Sequence, residues 1–513
     1  DRVASLNAGL NLEMPPSYTD DQIVYAARDG RIQPAQLDRM AQGMIDLVNK
    51  TRAAMSVENY RFDIEAHDEV AHQAAVESMV LLKNDDAILP VAGDAKVTVI
   101  GEFARTPRYQ GGGSSHITPT KMTGFLDALT ERGVDAKFAP GFTLDLEPAD
   151  PALEAEAVEA AKGADVVLMF LGLPEAAESE GFDRETLDMP AKQIALLEAV
   201  AAENKNVVVV LSNGSVVTVA PWAKNAKGIL ESWLLGQSGG PALADVLFGK
   251  VSPSGKLAQT IPFDINDDPS TINWPGEEGH VDYGEGVFVG YRSYEKRKLA
   301  VQYPFGCGLS YTDFAVELCE NDFRWDMRTQ ETLNVPVRVK NVGSRPGSEV
   351  VQLYTREEKP HMLRPDRTLV GYAKVRLAPG EETIVNVSVS KKALRCYDAR
   401  MDKWVQPIGA HKLYLALSAE NILAQAPLMI EGKNPYPLNG ESTIGEILEN
   451  PRAKEIVNQF TNGMFDMMPK ETLDFMVYRK LNDILSVGMI QVIPDTVKLS
   501  TILQGLYDRL AEL

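Results

Sequence analysis

The chain has 513 residues, enough for several domains, and its 44% hydrophobic and 24% charged content is that of a globular protein able to bury large cores. Acidic residues outnumber basic ones 72 to 51, a formal net charge of −21, which argues against binding nucleic acid or an anionic membrane through a basic face and favours a neutral substrate. The three cysteines, Cys307, Cys319 and Cys396, form neither a disulfide framework nor a zinc spacing and suit a reducing compartment, so a cytoplasmic location is expected; no run of ~18 apolar residues that could span a membrane is present, and no signal peptide is visible.

Residues 1–60 open with Ala8-Gly9-Leu10-Asn11-Leu12-Glu13-Met14-Pro15, which reads as a buried strand end and turn. A helix follows, with Leu37, Met40, Ala41, Met44, Ile45 and Val48 at one-faced spacing. One strand and two helices cannot close a core, so this segment reads as the tail of a larger domain. Residues 61–265 alternate short apolar runs (97–100, 166–170, 207–211 and 228–233) with helices such as 192–202. That pattern predicts an α/β layered domain with buried parallel strands. Residues 266–312, rich in Pro, Gly and aromatics, read as an ordered linker lying on a neighbouring surface.

From 313 to 432 the period changes to two: Val335, Val337 and Val339 alternate with polar or turn-favouring residues, as do Val385, Val387 and Val389. With turn signals at 343–347 and at Pro379-Gly380, this predicts a β-sandwich. The tail, 433–513, is helical, with Asn450-Pro451 as a helix start. Five methionines between Met464 and Met489, beside Phe460, Phe465, Phe475, Leu481 and Ile484, read first as core packing, with a subunit contact, and so a homo-oligomer, as the alternative.

The run Glu178-Ser179-Glu180-Gly181-Phe182-Asp183-Arg184 lies beyond the apolar strand 166–170. Loops at the carboxyl ends of strands are where open α/β sheets carry ligands and where a proton donor for bond cleavage can be held beside a cleft. Glu178 and Glu180 are both candidates, and the alternation of an extended loop would point both side chains the same way. Asp183 and Arg184 read as a local ion pair. Gly111-Gly112-Gly113-Ser114-Ser115 is a loop whose backbone can approach a ligand closely. It is also readable as a plain turn or a phosphate nest, but it lacks the Lys-Ser/Thr of a P-loop and the spacing of a dinucleotide fingerprint. His116 reads as a loop histidine. Trp274, Tyr283 and Phe288 on the linker read as interdomain packing. No cluster has metal-ligand spacing, and no metal or cofactor is expected.

Several motifs occur together in order: 75–84 (AVESMVLLKN), Gly111 to Ser115, Glu178 to Arg184, 253–257 (PSGKL), 283–292 (YGEGVFVGYR) and 305–312 (FGCGLSYT). In this combination the chain resembles glycoside hydrolase family 3, the three-domain β-glucosidase type. The resemblance covers residues 1 to about 430 and implies the end of a TIM-like barrel (1–60), an α/β sandwich (61–265), a linker (266–312) and a fibronectin type III-like domain (313–432), followed by the helical tail (433–513).

It further implies a retaining exo-acting β-glucosidase that hydrolyses terminal non-reducing β-D-glucosides by double displacement. Glu180 would be the acid/base, Glu178 the runner-up, and Ser114 a sugar contact in the first subsite. Relatives that use an Asp-His pair as acid lack this Glu motif, so His116 keeps its plain reading. Trp274, Tyr283 or Phe288 could line an outer subsite. Cys307 departs from the family pattern, where an aromatic residue or His is usual, and is expected to alter a pocket wall. The opening segment resembles the stretch just after the family's nucleophilic Asp. The expectation is therefore that a missing barrel segment, or a companion chain, supplies that carboxylate. β-Xylosidase or another exo-β-glycosidase is the nearest alternative, and a non-catalytic fragment the alternative if nothing supplies the barrel.

Overall fold

The computed structural model describes residues 2–14, 16, 18–399, 401–490 and 496–513, the side chains of 487–490 and 496–497 excepted. Asp1, Pro15 and the Met489 side chain, which figure in the sequence reading, lie outside the described residues. The chain divides into two units, Asp1–His67 and Asp68–Leu513.

The first unit contains helices Arg2–Asn7, Asp20–Arg28 and Pro34–Met55, with a small cluster of Val3, Leu6, Ala26 and Ile32 at its centre. The strand end expected over 8–15 is not formed. Residues 8–14 have no regular structure, and Leu10, Leu12 and Met14 are 44%, 52% and 80% exposed. An extended segment becomes a strand only where a neighbour pairs its N–H and C=O groups, and the described residues of this unit include no other strand. The amphipathic helix forms over Pro34–Met55 as its spacing predicts, yet none of its residues is buried.

The second unit starts with a six-stranded sheet: β1 (Val80–Asn84), β2 (Val97–Ile100), β3 (Ala136–Ala139), β4 (Val166–Gly172), β5 (Val207–Ser212) and β6 (Gly228–Glu231). Their order is β1-β6-β5-β4-β2-β3, parallel except for the antiparallel edge strand β1. β2, β4, β5 and β6 are buried along their whole lengths, which is why they read as unbroken apolar runs. The chain leaves β2 for β3 on one side, then crosses back to β4 on the other. The sheet therefore has its topological switch point between β2 and β4, where the loops after both strands open a crevice.

Among the described residues ten further strands follow: β7 (Phe314–Leu318), β8 (Phe323–Asp326), β9 (Thr332–Asn341), β10 (Gly347–Glu357), β11 (Thr368–Leu377), β12 (Glu382–Ser390), β13 (Cys396–Asp398), β14 (Lys403–Val405), β15 (Gly409–Ala416) and β16 (Ile422–Glu431). A five-stranded sheet, β11-β10-β15-β16-β8, faces a three-stranded one, β12-β9-β7. The two valine runs pair with each other, Val337 opposite Val385 and Val335 opposite Val387. Their alternate positions bury Val335, Val337, Val339, Val387 and Val389 around Trp325.

The segment before β7 is built into both layers. Leu257 N–H donates to Cys307 O, Ile261 N–H to Tyr303 O, and Leu309 N–H to Leu81 O. Lys256 reaches Glu349 on β10 at 2.7 Å. Cys307 packs against the α/β core instead of lining a pocket, and burial pushes its thiol up to about 12. Trp274 and Tyr283 do not pack between domains as expected: they are 52% and 79% exposed.

The tail helices enclose a core of their own that includes Ile444, Val457, Phe465, Leu481 and Leu506. Asn450 caps helix Pro451–Phe460, accepting from the N–H groups of Arg452 and Ala453. The expected stripe is divided: Phe465 and Leu481 are buried, whereas Met467 and Phe475 are 71% and 78% exposed.

Candidate active site

The loop after β4 starts from a fixed point. Buried Gln193 closes both backbone groups of Gly172, accepting from its N–H at 2.9 Å and donating to its carbonyl at 2.8 Å. From there the chain runs through Glu178 and Glu180 in irregular conformation to helix Ala191–Glu203.

The two carboxylates are turned to different partners, not to one side as the alternation suggested. Glu178 faces inward, its side chain 15% exposed. It accepts from Arg108 Nη1 at 2.7 Å, Gly214 N–H at 2.7 Å, and Ser215 N–H and hydroxyl at 2.8 and 2.5 Å. Burial alone would raise its pKa. The bonds from Ser215, Gly214 and Arg108 outweigh that and hold the carboxyl below its ordinary range. A carboxylate so saturated has no proton to give and no free lone pair toward a ligand.

Glu180 lies on the exposed rim, with Oε2 accepting from the backbone N–H of Ser114 at 2.6 Å. The switch point thus joins the loop after β2 to the loop after β4 through two of the residues singled out by sequence. The approach depends on Gly112 and Gly113. A Cβ on Gly113 would lie 2.6 Å from Glu180 Cβ, one on Gly112 2.3 Å from Ser179 Oγ, and Gly113 also has φ +84°. Hydrogen bonds from Ser114, its hydroxyl first and then its N–H, hold the Glu180 carboxyl below the ordinary value. A raised value is what an acid would need, so the described residues leave Glu180 as the ionised base form.

Arg108 ties the two loops a second time, donating to Leu173 O and Glu178 O at 2.8 Å each. Arg184 pairs with Ser215 Oγ (2.7 Å) and Val216 O (3.0 Å) and lies 3.8 Å from Glu178; the expected Asp183–Arg184 pair is not formed among the described residues. The guanidinium turns toward the buried carboxylate because that is where charge is unscreened. His116 Nε2 lies 3.1 Å from Glu175 Oε1 beside a groove of about 600 Å³, whose walls include Tyr109, Ile117 and Pro174. Sequence reasoning missed Arg108, Gly214 and Ser215. Residues 213–215 follow the buried run 207–211, so the rule that flagged the loop after β4 also points to them.

The family model described as the glycosyl hydrolase family 3 C-terminal domain matches residues 79–311, and that for a fibronectin type III-like domain matches 349–419. A crystal structure described as a GH3 β-glucosidase of Bifidobacterium adolescentis superposes with a TM-score of 0.82 at 66% identity, over 89% of this chain and 67% of that one. The chain belongs to glycoside hydrolase family 3. Among family 3 relatives, an exo-α-(1→6)-L-arabinopyranosidase of Bifidobacterium breve (strain ACS-071-V-Sch8b) is 64% identical over 467 residues, 89% of this chain and 61% of that protein. Thermostable β-glucosidase B of Acetivibrio thermocellus is 42% identical over 435 residues, 84% of this chain and 57% of that protein. The chain spans about three fifths of the length of these curated relatives.

Proposed function

We propose that this chain carries the acid/base half of a retaining, exo-acting glycosidase, with Glu180 as the acid/base and Ser114 beside it at the sugar. The observation that supports this reading is the contrast between the two carboxylates. Glu178 is consumed by donors from three residues, whereas Glu180 is exposed at the switch point and takes donors from Ser114 alone among the described residues. A retaining mechanism needs a second carboxylate about 5–5.5 Å away as nucleophile. In this reading it comes from barrel residues outside these 513, in the same polypeptide or a companion one. Its negative charge, and the exclusion of water when the crevice is covered, would raise the Glu180 pKa so that it enters the reaction protonated. Glu180 then protonates the leaving oxygen as the nucleophile attacks the anomeric carbon, and in the second step takes a proton from water.

The substrate proposed first is a terminal β-D-glucoside. A second reading, an α-L-arabinopyranoside, is favoured by the 64% identity to the arabinopyranosidase. The two share the chemistry, because an α-L-arabinopyranoside is a β-D-galactoside without its hydroxymethyl group and leaves from the same face of the ring. β-D-Xylosides are the third member of that set.

The test is mass spectrometry of the purified protein under denaturing conditions, to identify every polypeptide present, with hydrolysis of the p-nitrophenyl β-D-glucoside, α-L-arabinopyranoside and β-D-xyloside measured alongside. Hydrolysis that Glu180→Gln lowers, and lowers more for an alkyl than for a p-nitrophenyl glycoside, supports the proposal, and the preferred substrate selects among the sugars. No hydrolysis of any of the three from a preparation containing the barrel overturns it. Absence of both barrel and activity assigns the non-catalytic alternative.

A further inference from the structure

Three unusual features meet beneath residues 213–215, the segment that grips Glu178. The first is Glu231, which ends β6 with 0% exposure and no cation partner among the described residues. Its Oε1 accepts from Trp233 N–H at 2.9 Å and its Oε2 from Asn213 Nδ2 at 3.1 Å. The second is Asn213, also 0% exposed. Its Nδ2 donates again to Ser215 O at 3.0 Å, and its Oδ1 has no partner among the described residues. The third is Trp233, which holds φ +57°, a backbone region bulky residues avoid. That turn is what brings its N–H back to Glu231. Strain, a buried acid and an unpartnered amide oxygen in one place call for a common cause.

A carboxyl buried without a cation is costly as an ion. Burial, the largest influence, pushes Glu231 up to about 8. Hydrogen bonds from Trp233 and Asn213 pull the other way, and the charge of Glu178 adds to the rise. The charged group acting on it from the loops is Glu178, which is itself paired with Arg108 at 2.7 Å and lies 3.8 Å from Arg184. On β1, Val80 lies opposite in register, and Lys83 turns away to the carbonyls of Ala223 and Ala226. From the end of β5 comes the neutral Asn213.

We propose that neutral Glu231 is a positioning residue: through Asn213 it sets residues 213–215, which hold Glu178 and so keep the Glu180 loop against Ser114, and its ionisation releases that hold. On ionisation the bonds from Trp233 N–H and Asn213 Nδ2 tighten, yet no cation among the described residues balances a second buried charge beside Glu178, so water is drawn in and residues 213–215 open to admit it. The relay uses contacts already described: Asn213 to Ser215, Ser215 and Gly214 to Glu178, Arg108 across to the loop of Ser114. Its bearing on catalysis rests on the reading of Glu180 above; the coupling of Glu231 to the Ser114 loop does not.

The experiment is hydrogen exchange of the segment containing the Ser114 amide, in the protein as purified. Protection is expressed relative to the intrinsic rate at about pH 6 and about pH 9.5, on either side of the ionisation. Wild type is expected to lose roughly tenfold in protection at the higher pH. Glu231→Gln, which mimics the neutral acid, is expected to keep its protection at both, and Asn213→Ala to lack it at both. Equal wild-type protection at the two pH values overturns the proposal, as does a Glu231→Gln variant that follows wild type. The wild-type pair of measurements decides even if a variant fails to fold. If hydrolysis is present, Glu231→Gln should also extend the alkaline limb of kcat with KM unchanged. Exchange behaving as expected without any glycosidase activity would overturn the proposed function and leave the positioning role standing.

Discussion

The backbone N–H of Ser114 donates to Glu180 Oε2 at 2.6 Å, so the rim carboxylate rests on the glycine-rich loop of the neighbouring strand. The contact spans the switch point of the sheet and joins a carboxylate to a hydroxyl-bearing loop. Each residue that makes or supports this contact has a measurable consequence when it is changed.

Replacing Glu180 by Gln keeps the side chain's shape and removes its proton. Hydrolysis of glycosides with poor leaving groups should fall about 10²–10⁴-fold, the range for a lost general acid/base. p-Nitrophenyl substrates, whose leaving group needs little protonation, should lose less in the first step. Because the residue is exposed, the unfolding midpoint should not move. Steady-state kinetics on an alkyl and an aryl glycoside, with a urea melt alongside, checks both parts.

Gly113→Ala would put a Cβ 2.6 Å from Glu180 Cβ, at a residue with φ +84°. The loops must separate, at a cost of about 1–3 kcal/mol for the strained backbone. The expected result is a modest loss of stability, faster exchange of the Ser114 amide, and a drop in activity close to that of Glu180→Gln. Retention of both exchange and activity would show that the close approach is dispensable.

Glu178 and Arg108, with side chains 15% and 8% exposed, form a pair whose halves cannot be removed separately without harm. Glu178→Gln or Arg108→Met should each destabilise by about 1.5–3 kcal/mol, since the partner keeps its other hydrogen bonds but loses its charged one. The double variant should cost less than the sum, because both changes remove the same bond. A double-mutant cycle in urea measures the difference.

Stability should depend on pH in opposite senses through two carboxyls. The Glu178 pKa is lowered on folding, so its contribution is present above the ordinary carboxyl range and is lost as pH falls through its folded value. That of Glu231 rises from 4.5 to about 8 on folding. Its contribution is present below the unfolded value and is lost as pH climbs toward about 8, at a rate of at most about 1.4 kcal/mol per pH unit. Glu231→Gln should therefore be more stable than wild type at about pH 9 and flatter across the range. Urea unfolding at a series of pH values tests the sign directly.

How much of this was legible in the chain depends on how local its cause is. The run 97–100 became β2, and 166–170 and 207–211 became β4 and β5 with one or two residues added. Fully buried strands carry their signal in their own apolar surface. The run 228–233 ended early, at Glu231, because Trp233 turns left-handed to serve the buried carboxyl. β3, only partly buried, gave no such run. Residues 8–14 looked like a strand end, but a strand also requires a neighbour to pair with.

The sequence by itself determined the layered architecture, the family, and the two loops that meet at the switch point, since all three rest on residues close together in the chain. Only the tertiary structure decided what each carboxyl does. Glu178 and Glu180 are two residues apart and chemically identical. One became a saturated anion because Arg108, seventy positions earlier, and residues 214–215 converge on it. The other stayed exposed because, among the described residues, Ser114 alone reaches it. Glu231, buried where no cation follows, became an acid that keeps its proton to about 8. Direction and ionisation of a carboxyl are set by the donors, charges and water around it, and those arrive from distant parts of the chain only when it folds.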